Sequence, residues 1–197
     1  MKKLKPLLLA LLCLAAVIFT PNEASASTTY HTVQRGDTLW KISKRYGVPL
    51  LQLKRVNNKS GNVIFAGEKL RIPKTITAAE KDLLARLVHA EAKGEPYAGK
   101  VAVATVVLNR VDHQNFPNTV KGVIYERSAG YYAFTPVKTG SINQPANREA
   151  YRAVEEALAF RGLGSGSIYF YNPKTAKSKW LRSKQVTVVI GNHVFAK

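Results

Sequence analysis

Cysteine is almost absent from this chain. Among 197 residues there is a single cysteine, Cys13, and it lies inside an apolar run at residues 6–19. A basic start precedes that run and Ala24-Ser25-Ala26 follows it, which is the pattern of a secretory signal peptide with a small-x-small cleavage site. Cleavage after Ala26 would leave a chain with no thiol, so we expect neither disulfides nor a cysteine nucleophile.

The N-terminal apolar run is also too short to remain in a membrane. It has 14 residues, fewer than the ~20 that a membrane-spanning helix needs. We therefore expect residues 1–26 to be removed as a signal peptide, and we expect a secreted protein with no membrane contact after signal cleavage.

Acidic residues are few. The chain has 12 Asp and Glu against 30 Lys and Arg, with a formal net charge of +18. In a cytoplasmic protein such an excess would suggest nucleic acid. For an exported protein, the expected polyanion is the cell wall, with its phosphate polymers and peptide carboxylates. Anionic wall polymers are therefore expected partners, and nucleic acid is not.

Histidine is scarce as well, with four in the chain. A zinc site needs three or four ligands at characteristic spacing, which His89, His113 and His193 do not have, and His31 belongs to a separate N-terminal segment. A Gly-x-Ser-x-Gly nucleophile motif is also lacking, because Gly162–Gly166 is out of register. We expect no metal and no cofactor.

The residues that are present form two patterns, and the first begins near Tyr30. Thr32–Val33 predicts a short strand, and the turn after it offers Asp37 or Thr38 as the cap of a helix. Gly47 is placed to end that helix as a C-terminal cap. The segment therefore predicts a strand, a turn and a helix in close succession.

A second short helix at residues 50–53 and a returning strand at Lys69–Ile72 complete this first pattern. Residues 29–73 closely resemble a LysM module, a small β-α-α-β domain whose family binds N-acetylglucosamine-containing glycans, chiefly peptidoglycan and chitin. The resemblance implies a glycan groove between two loops. The residues expected to line it are Gly36, Asp37, Thr38 and Ile64. A small accessory domain with no ligand is the alternative.

The second pattern surrounds a glutamate on an apolar helix face. Thr77 and Glu80 have the spacing of a capping box that starts a helix. Leu83, Leu87 and Glu91 then recur every four residues, which places Glu91 on the apolar stripe and in the last turn. Burial and the helix dipole both favour the protonated carboxyl that a general acid needs near neutral pH. The alternatives are a solvated surface glutamate or, as the acid, the neighbouring Glu95 in the following turn.

Five motifs lie around Glu91 and further along the chain, namely Arg86–Arg110, Phe116–Val120, Gly122–Ile124, Phe170–Pro173 and Ile190–Phe195. Together they resemble the SleB/CwlJ family of cell-wall hydrolases, which are spore-cortex-lytic enzymes related in fold to lytic transglycosylases and goose-type lysozyme. The resemblance implies that Glu91 is the catalytic glutamate. It also implies a catalytic domain at residues 77–197, joined to the LysM module by the short segment 74–76.

The remaining elements predict a mainly helical domain with a C-terminal β extension. Gly99–Asn109 is a near-continuous apolar run, which indicates a buried helix ending at Asn109 and Arg110. Two further helices are expected at Asn118–Glu126 and Asn147–Phe160, each capped by its asparagine. A strand at Ile168–Tyr171 and a hairpin at 186–195 follow. The fold class of the whole chain is predicted to be α+β.

Aromatic and amide side chains cluster near the predicted C-terminal strand. Aromatic faces stack on sugar rings, and asparagine can hydrogen-bond an acetamido group. Tyr171-Asn172 is similar to the Tyr-Asn pair of lytic transglycosylases. We expect Tyr171, Asn172, Trp180 and Phe134 to bind the substrate.

A second catalytic carboxylate is not evident. Glycosidases usually use two, but Asp112, Glu126 and Glu149 lie at predicted helix ends. A single glutamate suits substrate-assisted lytic transglycosylation between N-acetylmuramic acid and N-acetylglucosamine. The expected function is a secreted, monomeric peptidoglycan-cleaving enzyme of the cell wall or spore envelope, used in cortex hydrolysis during germination or in wall remodelling. The alternative is a catalytically inactive wall-binding or structural protein.

Overall fold

The computed structural model describes residues 29–128 and 130–197, so the predicted signal peptide lies outside the described residues. The helices and strands, in chain order, are β1 (Thr29–Thr32), α1 (Leu39–Tyr46), α2 (Leu50–Val56), β2 (Lys69–Ile72), α3 (Ala78–Glu91), α4 (Tyr97–Asp112), α5 (Val120–Ile124), β3 (Arg127–Ser128), β4 (Tyr131–Tyr132), α6 (Thr135–Thr139), α7 (Arg148–Phe160), β5 (Tyr169–Tyr171), α8 (Lys179–Arg182), β6 (Val186–Ile190) and β7 (His193–Ala196). Within these described ranges, no helix has the length and apolar character needed to cross a bilayer.

The N-terminal unit has the β-α-α-β order. Strands β1 and β2 pair antiparallel, with Thr29 opposite Ile72. The predicted strand at Thr32–Val33 was placed too late, because the paired strand ends at Thr32. Beyond it, Val33 makes backbone hydrogen bonds to Glu68 and Gly67, each at 2.8 Å, without extending the strand.

The ends of α1 follow the local signals. Thr38 caps the helix by accepting a hydrogen bond from the Lys41 backbone amide at 3.1 Å. Gly47 ends it with φ of 58°, a left-handed conformation that glycine adopts without steric cost. Both predictions are confirmed. The unit has its own small core, formed by Val33, Leu39, Ile42, Val48, Leu53, Leu70 and Ile72.

The larger unit is built around three helices. α3, α4 and α7 bury a continuous apolar core that includes Leu84, Leu87, Leu108 and Leu158. The predicted capping box at Thr77 and Glu80 is present. This helical layer holds the C-terminal end of α3, and with it Glu91, against the rest of the domain.

Two predicted helix boundaries were wrong. α4 runs to Asp112 instead of ending at Asn109 and Arg110, since Val111 still packs against the core. α5 begins at Val120, and its cap is Thr119, not Asn118, because the Thr119 hydroxyl accepts a hydrogen bond from the Gly122 amide at 3.0 Å. Asn147 does cap α7, as predicted.

The C-terminal residues form the predicted β extension. β6 and β7 are the two strands of a hairpin that turns at residues 191–192, and β5 pairs with the other edge of β7, giving the order β5-β7-β6. Phe195 on β7 is buried in the helical core. The first residue of β7, His193, therefore lies beside the helical layer.

The two units pack on each other through α1 and α7. The rings of Trp40 and Phe160 lie 4.6 Å apart between centroids. Lys44 pairs with Glu156 at 2.6 Å, and Glu156 also accepts a hydrogen bond from the Tyr97 hydroxyl at 3.0 Å. The small N-terminal core is thus docked onto the outer face of the helical layer.

Candidate active site

Glu91 is the last residue of α3 and is half-buried. The buried Leu83 and Leu87 precede it on the same face of the helix, as the spacing predicts. Burial raises the pKa of Glu91 to about 7, and the backbone amide of Thr135 acts in the opposite direction. A substantial fraction of this carboxyl therefore stays protonated near neutral pH, which is the state that a general acid requires.

Glu91 opens onto a cavity of about 290 Å³. Its walls come from five separate parts of the larger unit. The lining residues are Glu91, Arg110, Ala133, Phe134, Thr135, Phe170, Tyr171, Asn172, Thr175 and His193. Of the four residues predicted to bind substrate in this unit, three line the cavity, and Trp180 is not among the lining residues.

Phe134 forms part of the cavity wall. Its side chain is 3% exposed, and its ring lies 6.3 Å from that of Phe170. A ring so enclosed cannot offer its whole face to a sugar. Phe134 therefore shapes the cavity and positions the next residue, Thr135, whose backbone amide acts on Glu91.

Tyr171 and Asn172 lie at the end of β5. Tyr171 is half-buried, and Asn172 begins the loop that follows. The Asn172 side-chain oxygen accepts a hydrogen bond from the Lys174 amide at 2.9 Å. The orientation of the side chain is thereby fixed, and its amide nitrogen has no hydrogen-bond partner among the described residues. That nitrogen can donate to a carbonyl or hydroxyl oxygen of a ligand.

Trp180 lies outside the cavity lining, on an exposed surface. Its side chain is 57% exposed, and its ring contacts Tyr169 edge-on with 5.3 Å between centroids. Lys184 covers the Trp180 ring at 4.1 Å. Tyr169 in turn lies 5.8 Å from the Arg110 guanidinium, which lines the cavity. Trp180 is therefore connected to the cavity only through other side chains.

Glu95, the alternative candidate for the acid, is held by hydrogen bonds to the turn between β6 and β7. Its side chain accepts hydrogen bonds from the backbone and side-chain nitrogens of Asn192, at 2.9 and 3.1 Å. Burial on its own would raise the pKa of Glu95, but these hydrogen bonds, with a smaller contribution from the Lys100 charge, outweigh it, so the pKa lies below its usual value. A side chain at Gly191 would collide with this carboxylate. Glu95 thus anchors the β6–β7 turn in its ionised form.

Two charged or titratable residues of the cavity were missed by sequence reasoning. Arg110 was interpreted as a helix end, yet its guanidinium is buried between the rings of Phe116 and Phe134, each 5.1 Å away. Burial lowers its pKa, and its Nε donates to the Ile168 carbonyl at 2.7 Å. A usable signal existed, because Arg110 continues the buried stripe of Val103 and Val107 at helical spacing.

His193 was considered only as a metal ligand. Its side chain lies on the same face of β7 as the buried Phe195, and two-residue periodicity could have predicted this. Its ring packs 5.3 Å from that of Phe170. His193 and Glu91 line the same cavity although they lie at opposite ends of the domain sequence.

None of the three acidic residues considered as a second carboxylate lines the cavity. Asp112 is held by Arg161 through two hydrogen bonds of 2.9 and 2.7 Å. Glu149 pairs with Lys100 at 2.9 Å. Glu126 is close enough to Arg110 for its negative charge to raise the pKa of the guanidinium, which burial lowers.

The N-terminal unit brings its two predicted glycan loops together. The Gly67 amide donates to the Val33 carbonyl at 2.8 Å, so the turn containing Gly36 lies beside the loop containing Ile64. Ile64 is half-buried against the core of this unit. Its neighbours Val63 and Phe65 are about two-thirds exposed, at 66% and 69%. These two apolar side chains are therefore available at the surface.

Asp37 and Thr38 act on their own loop. The Asp37 carboxylate contacts His31 Nε2 at 2.8 Å and accepts a hydrogen bond from the Gln34 amide at 3.0 Å. The Gln34 and His31 contacts hold the pKa of Asp37 below its usual value. Thr38 caps α1. Both residues thus fix the shape of the loop that faces Ile64.

Comparison with known proteins matches both units. The model of the Cell Wall Hydrolase family matches residues 94–196, more than half of the chain. The chain belongs to the cell wall hydrolase family. A LysM domain precedes the hydrolase domain, at residues 31–73. Glu91 lies three residues before the matched range, at the end of the helix that leads into it.

The relatives of this cell wall hydrolase include spore cortex-lytic enzymes. That of Bacillus cereus is 41% identical over 126 residues, which is 64% of this chain and 47% of the relative. That of Oceanobacillus iheyensis is 37% identical over 141 residues, 72% of this chain and 50% of the relative. The chain therefore spans about half the length of these curated relatives.

The fold of the hydrolase domain is also found in solved structures. The catalytic domain of the germination-specific lytic transglycosylase SleB from Bacillus anthracis is 41% identical and superposes with a TM-score of 0.56. The match covers 64% of this chain and 100% of that domain. The predicted α+β class and the predicted relationship to lytic transglycosylases are confirmed.

Proposed function

We propose that this protein cleaves the glycan strands of peptidoglycan between N-acetylmuramic acid and N-acetylglucosamine, by lytic transglycosylation. The observation that carries the proposal is Glu91, a half-buried carboxyl with a pKa of about 7 in a cavity shared with Tyr171 and Asn172. Glu91 is the only acidic residue among those lining residues. One acid without a second carboxylate suits a reaction in which the substrate supplies its own nucleophile.

The proposed reaction uses Glu91 twice. First the protonated carboxyl donates its proton to the glycosidic oxygen, the C1–O bond breaks, and the substrate acetamido group stabilises the positive charge at C1. The Glu91 carboxylate then accepts the proton of the 6-hydroxyl as O6 attacks C1. The new O6–C1 bond closes a 1,6-anhydro ring, and Glu91 is protonated again for the next cycle.

The residues that line the cavity support an N-acetylated sugar as the ligand. The Asn172 amide nitrogen can donate to the acetamido carbonyl, and the Tyr171 side chain flanks the same space. Trp180 provides exposed ring surface beyond the cavity, beside the half-buried Tyr169, where a further sugar of the strand would stack.

The LysM domain is proposed to hold the enzyme on its substrate. Its glycan-facing residues are Gly36, Asp37, Thr38 and Ile64, with Asp37 and Thr38 shaping the loop. We assign residues 1–26 as a signal peptide, 29–73 as the LysM domain and 77–197 as the catalytic domain. The enzyme would act outside the cell as a monomer, with anionic wall polymers as additional contacts for its positive charge.

The proposed setting is cortex hydrolysis during germination or wall remodelling, which the names of the relatives support. The test is mass spectrometry of the fragments that the purified protein releases from spore cortex and from vegetative peptidoglycan. We expect 1,6-anhydromuramic ends, which are lighter than hydrolytic reducing ends by one water, ~18 Da. Reducing ends alone would identify a hydrolase, and no fragments from either wall would favour the inactive wall-binding alternative.

A further inference from the structure

The Glu91 cavity contains an imidazole that the proposed reaction does not use. His193 lines it from the start of β7. Its side chain is 8% exposed, although a polar ring is seldom enclosed to this degree without satisfying both nitrogens. One side of the ring packs on Phe170, at 5.3 Å between centroids, and another meets Phe195 at 6.2 Å.

The two ring nitrogens of His193 differ in their surroundings. Nδ1 is sealed from solvent and has no hydrogen-bond partner among the described residues. Nε2 also has no hydrogen-bond partner among the described residues, but it is not sealed from solvent. Because His193 borders the cavity, Nε2 is the nitrogen that a molecule beside Glu91 can reach.

The surroundings of His193 also determine its protonation state. A buried N–H without an acceptor is rarer and costlier than an unused lone pair, so the proton belongs on Nε2 and the lone pair on Nδ1. Burial lowers the pKa of His193, and the Glu95 charge opposes this. The other charged or titratable groups nearby are Glu91 and Arg110 in the cavity and Lys100, whose amine binds the Glu95 carbonyl at 2.9 Å. The ring is therefore neutral at pH 7 and presents Nε2–H to the cavity.

We propose that His193 is a second catalytic residue, whose Nε2–H donates a hydrogen bond to an oxygen of the N-acetylated sugar bound beside Glu91. This rests on the proposed function and goes beyond it by naming the non-carboxylate partner of the acid. A hydrogen bond from this second lining residue would hold the sugar with its glycosidic oxygen at Glu91. The ring lies against Phe170 and Phe195, so this donor is already oriented before substrate arrives.

The test compares three substitutions in the full chain. His193→Phe keeps the packed ring and removes the donor, whereas His193→Gln can place an amide N–H near the position of Nε2. His113→Phe is the matched control, because His113 lies outside the cavity lining. On a soluble, uncross-linked peptidoglycan tetrasaccharide we expect His193→Phe to lose about 10- to 100-fold in kcat/KM. His193→Gln should recover most of that loss, and His113→Phe should match the wild type.

A binding measurement separates this role from a structural one. In the Glu91→Gln background the tetrasaccharide is not cleaved, so its Kd and the ¹⁵N shift of His193 Nε2 can be followed by titration. We expect the Nε2 resonance to move on binding and the Kd to rise with His193→Phe, at an unchanged melting temperature.

Equal activity of His193→Phe and the wild type, or an Nε2 resonance that does not respond to the tetrasaccharide, would overturn the inference while leaving Glu91 as the acid. Full activity of Glu91→Gln would overturn the proposed function instead. If His193→Phe does not fold, the titration of the Glu91→Gln protein alone decides, since it leaves His193 intact.

Discussion

The LysM domain and the hydrolase domain place their proposed glycan-facing residues in different ways. In the LysM domain those residues lie on two loops that backbone hydrogen bonds of Val33, to Gly67 and Glu68, bring together. In the hydrolase domain, Glu91 and His193 come from opposite ends of the domain and meet only because β7 packs against the helical layer. Local sequence signals are therefore enough to place the proposed LysM site, whereas the proposed site around Glu91 forms only in the folded domain.

This contrast predicts that binding and cleavage can be removed separately. The largest expected effect is that of Glu91→Gln, which keeps the shape of the side chain but has no proton to deliver. Positioned acid–base catalysis contributes typically ~10²–10⁴ in rate, so cleavage should fall by at least that range. Pull-down on insoluble peptidoglycan should show unchanged binding, because the LysM residues are untouched.

The control for Glu91→Gln is Glu95→Gln. Its amide can still accept one hydrogen bond from Asn192, so we expect some loss of stability and much of the activity. If Glu95→Gln is the inactive variant, or if both lose activity equally at matched stability, Glu91 is not the acid.

Leu53→Ala in the LysM core should have the opposite effect to Glu91→Gln, by removing wall binding and not cleavage. Leu53 is fully buried, and removing such a side chain typically costs about 2–5 kcal/mol. A core of seven buried residues has little stability to lose. We expect wall binding to disappear while cleavage of a soluble tetrasaccharide persists. Loss of both activities would mean that the hydrolase domain depends on the LysM domain for its own fold.

The Glu91 environment should also appear in stability measurements. The pKa is about 7 in the folded protein, against an ordinary value of 4.5 for a glutamate in water, so the protonated carboxyl is favoured by folding. Its contribution is fully present below pH 4.5 and is lost as the pH rises through about 7. Glu91→Gln cannot ionise, so at pH 8 it should be more stable than the wild type by on the order of 3 kcal/mol.

Denaturant unfolding at pH 4 and pH 8 checks this, with Glu149→Gln as the exposed control. The Glu91→Gln variant and the wild type should be nearly equal in stability at pH 4. Activity of the wild type should fall by about tenfold per pH unit above pH 7, as the acid form is lost. An equal gain in stability at both pH values would show that Glu91 is not held in its protonated form by burial.

The sequence was most informative where a residue's environment is set by its own helix or turn. The stripe of Leu83, Leu87 and Glu91 predicted the half-buried position of the proposed acid, and Thr38 and Gly47 predicted both ends of α1. Trp180 was grouped with Tyr171 because they are close in the chain, but it lies outside the cavity lining. Local periodicity could have shown that Arg110 and His193 are buried, but not that they line the same cavity as Glu91, because the other walls of that cavity come from distant segments.

The smallest predicted effect lies at the contact between the two domains. The ion pair Lys44–Glu156 crosses this contact at 2.6 Å, and its side chains are between one-fifth and two-fifths exposed. Such partly solvated pairs typically contribute about 0.2–1 kcal/mol, so Lys44→Ala should change the thermal midpoint of unfolding only slightly.

Trp40→Ala removes the ring that packs on Phe160 and should loosen the contact more, since an aromatic pair adds about 0.5–1.5 kcal/mol beyond its buried area. Proteolysis of the 74–76 joint, followed over time in the two variants and the wild type, reports on this contact directly. Faster cleavage in Lys44→Ala than in Trp40→Ala would mean that charge, and not ring packing, holds the LysM domain on the hydrolase domain.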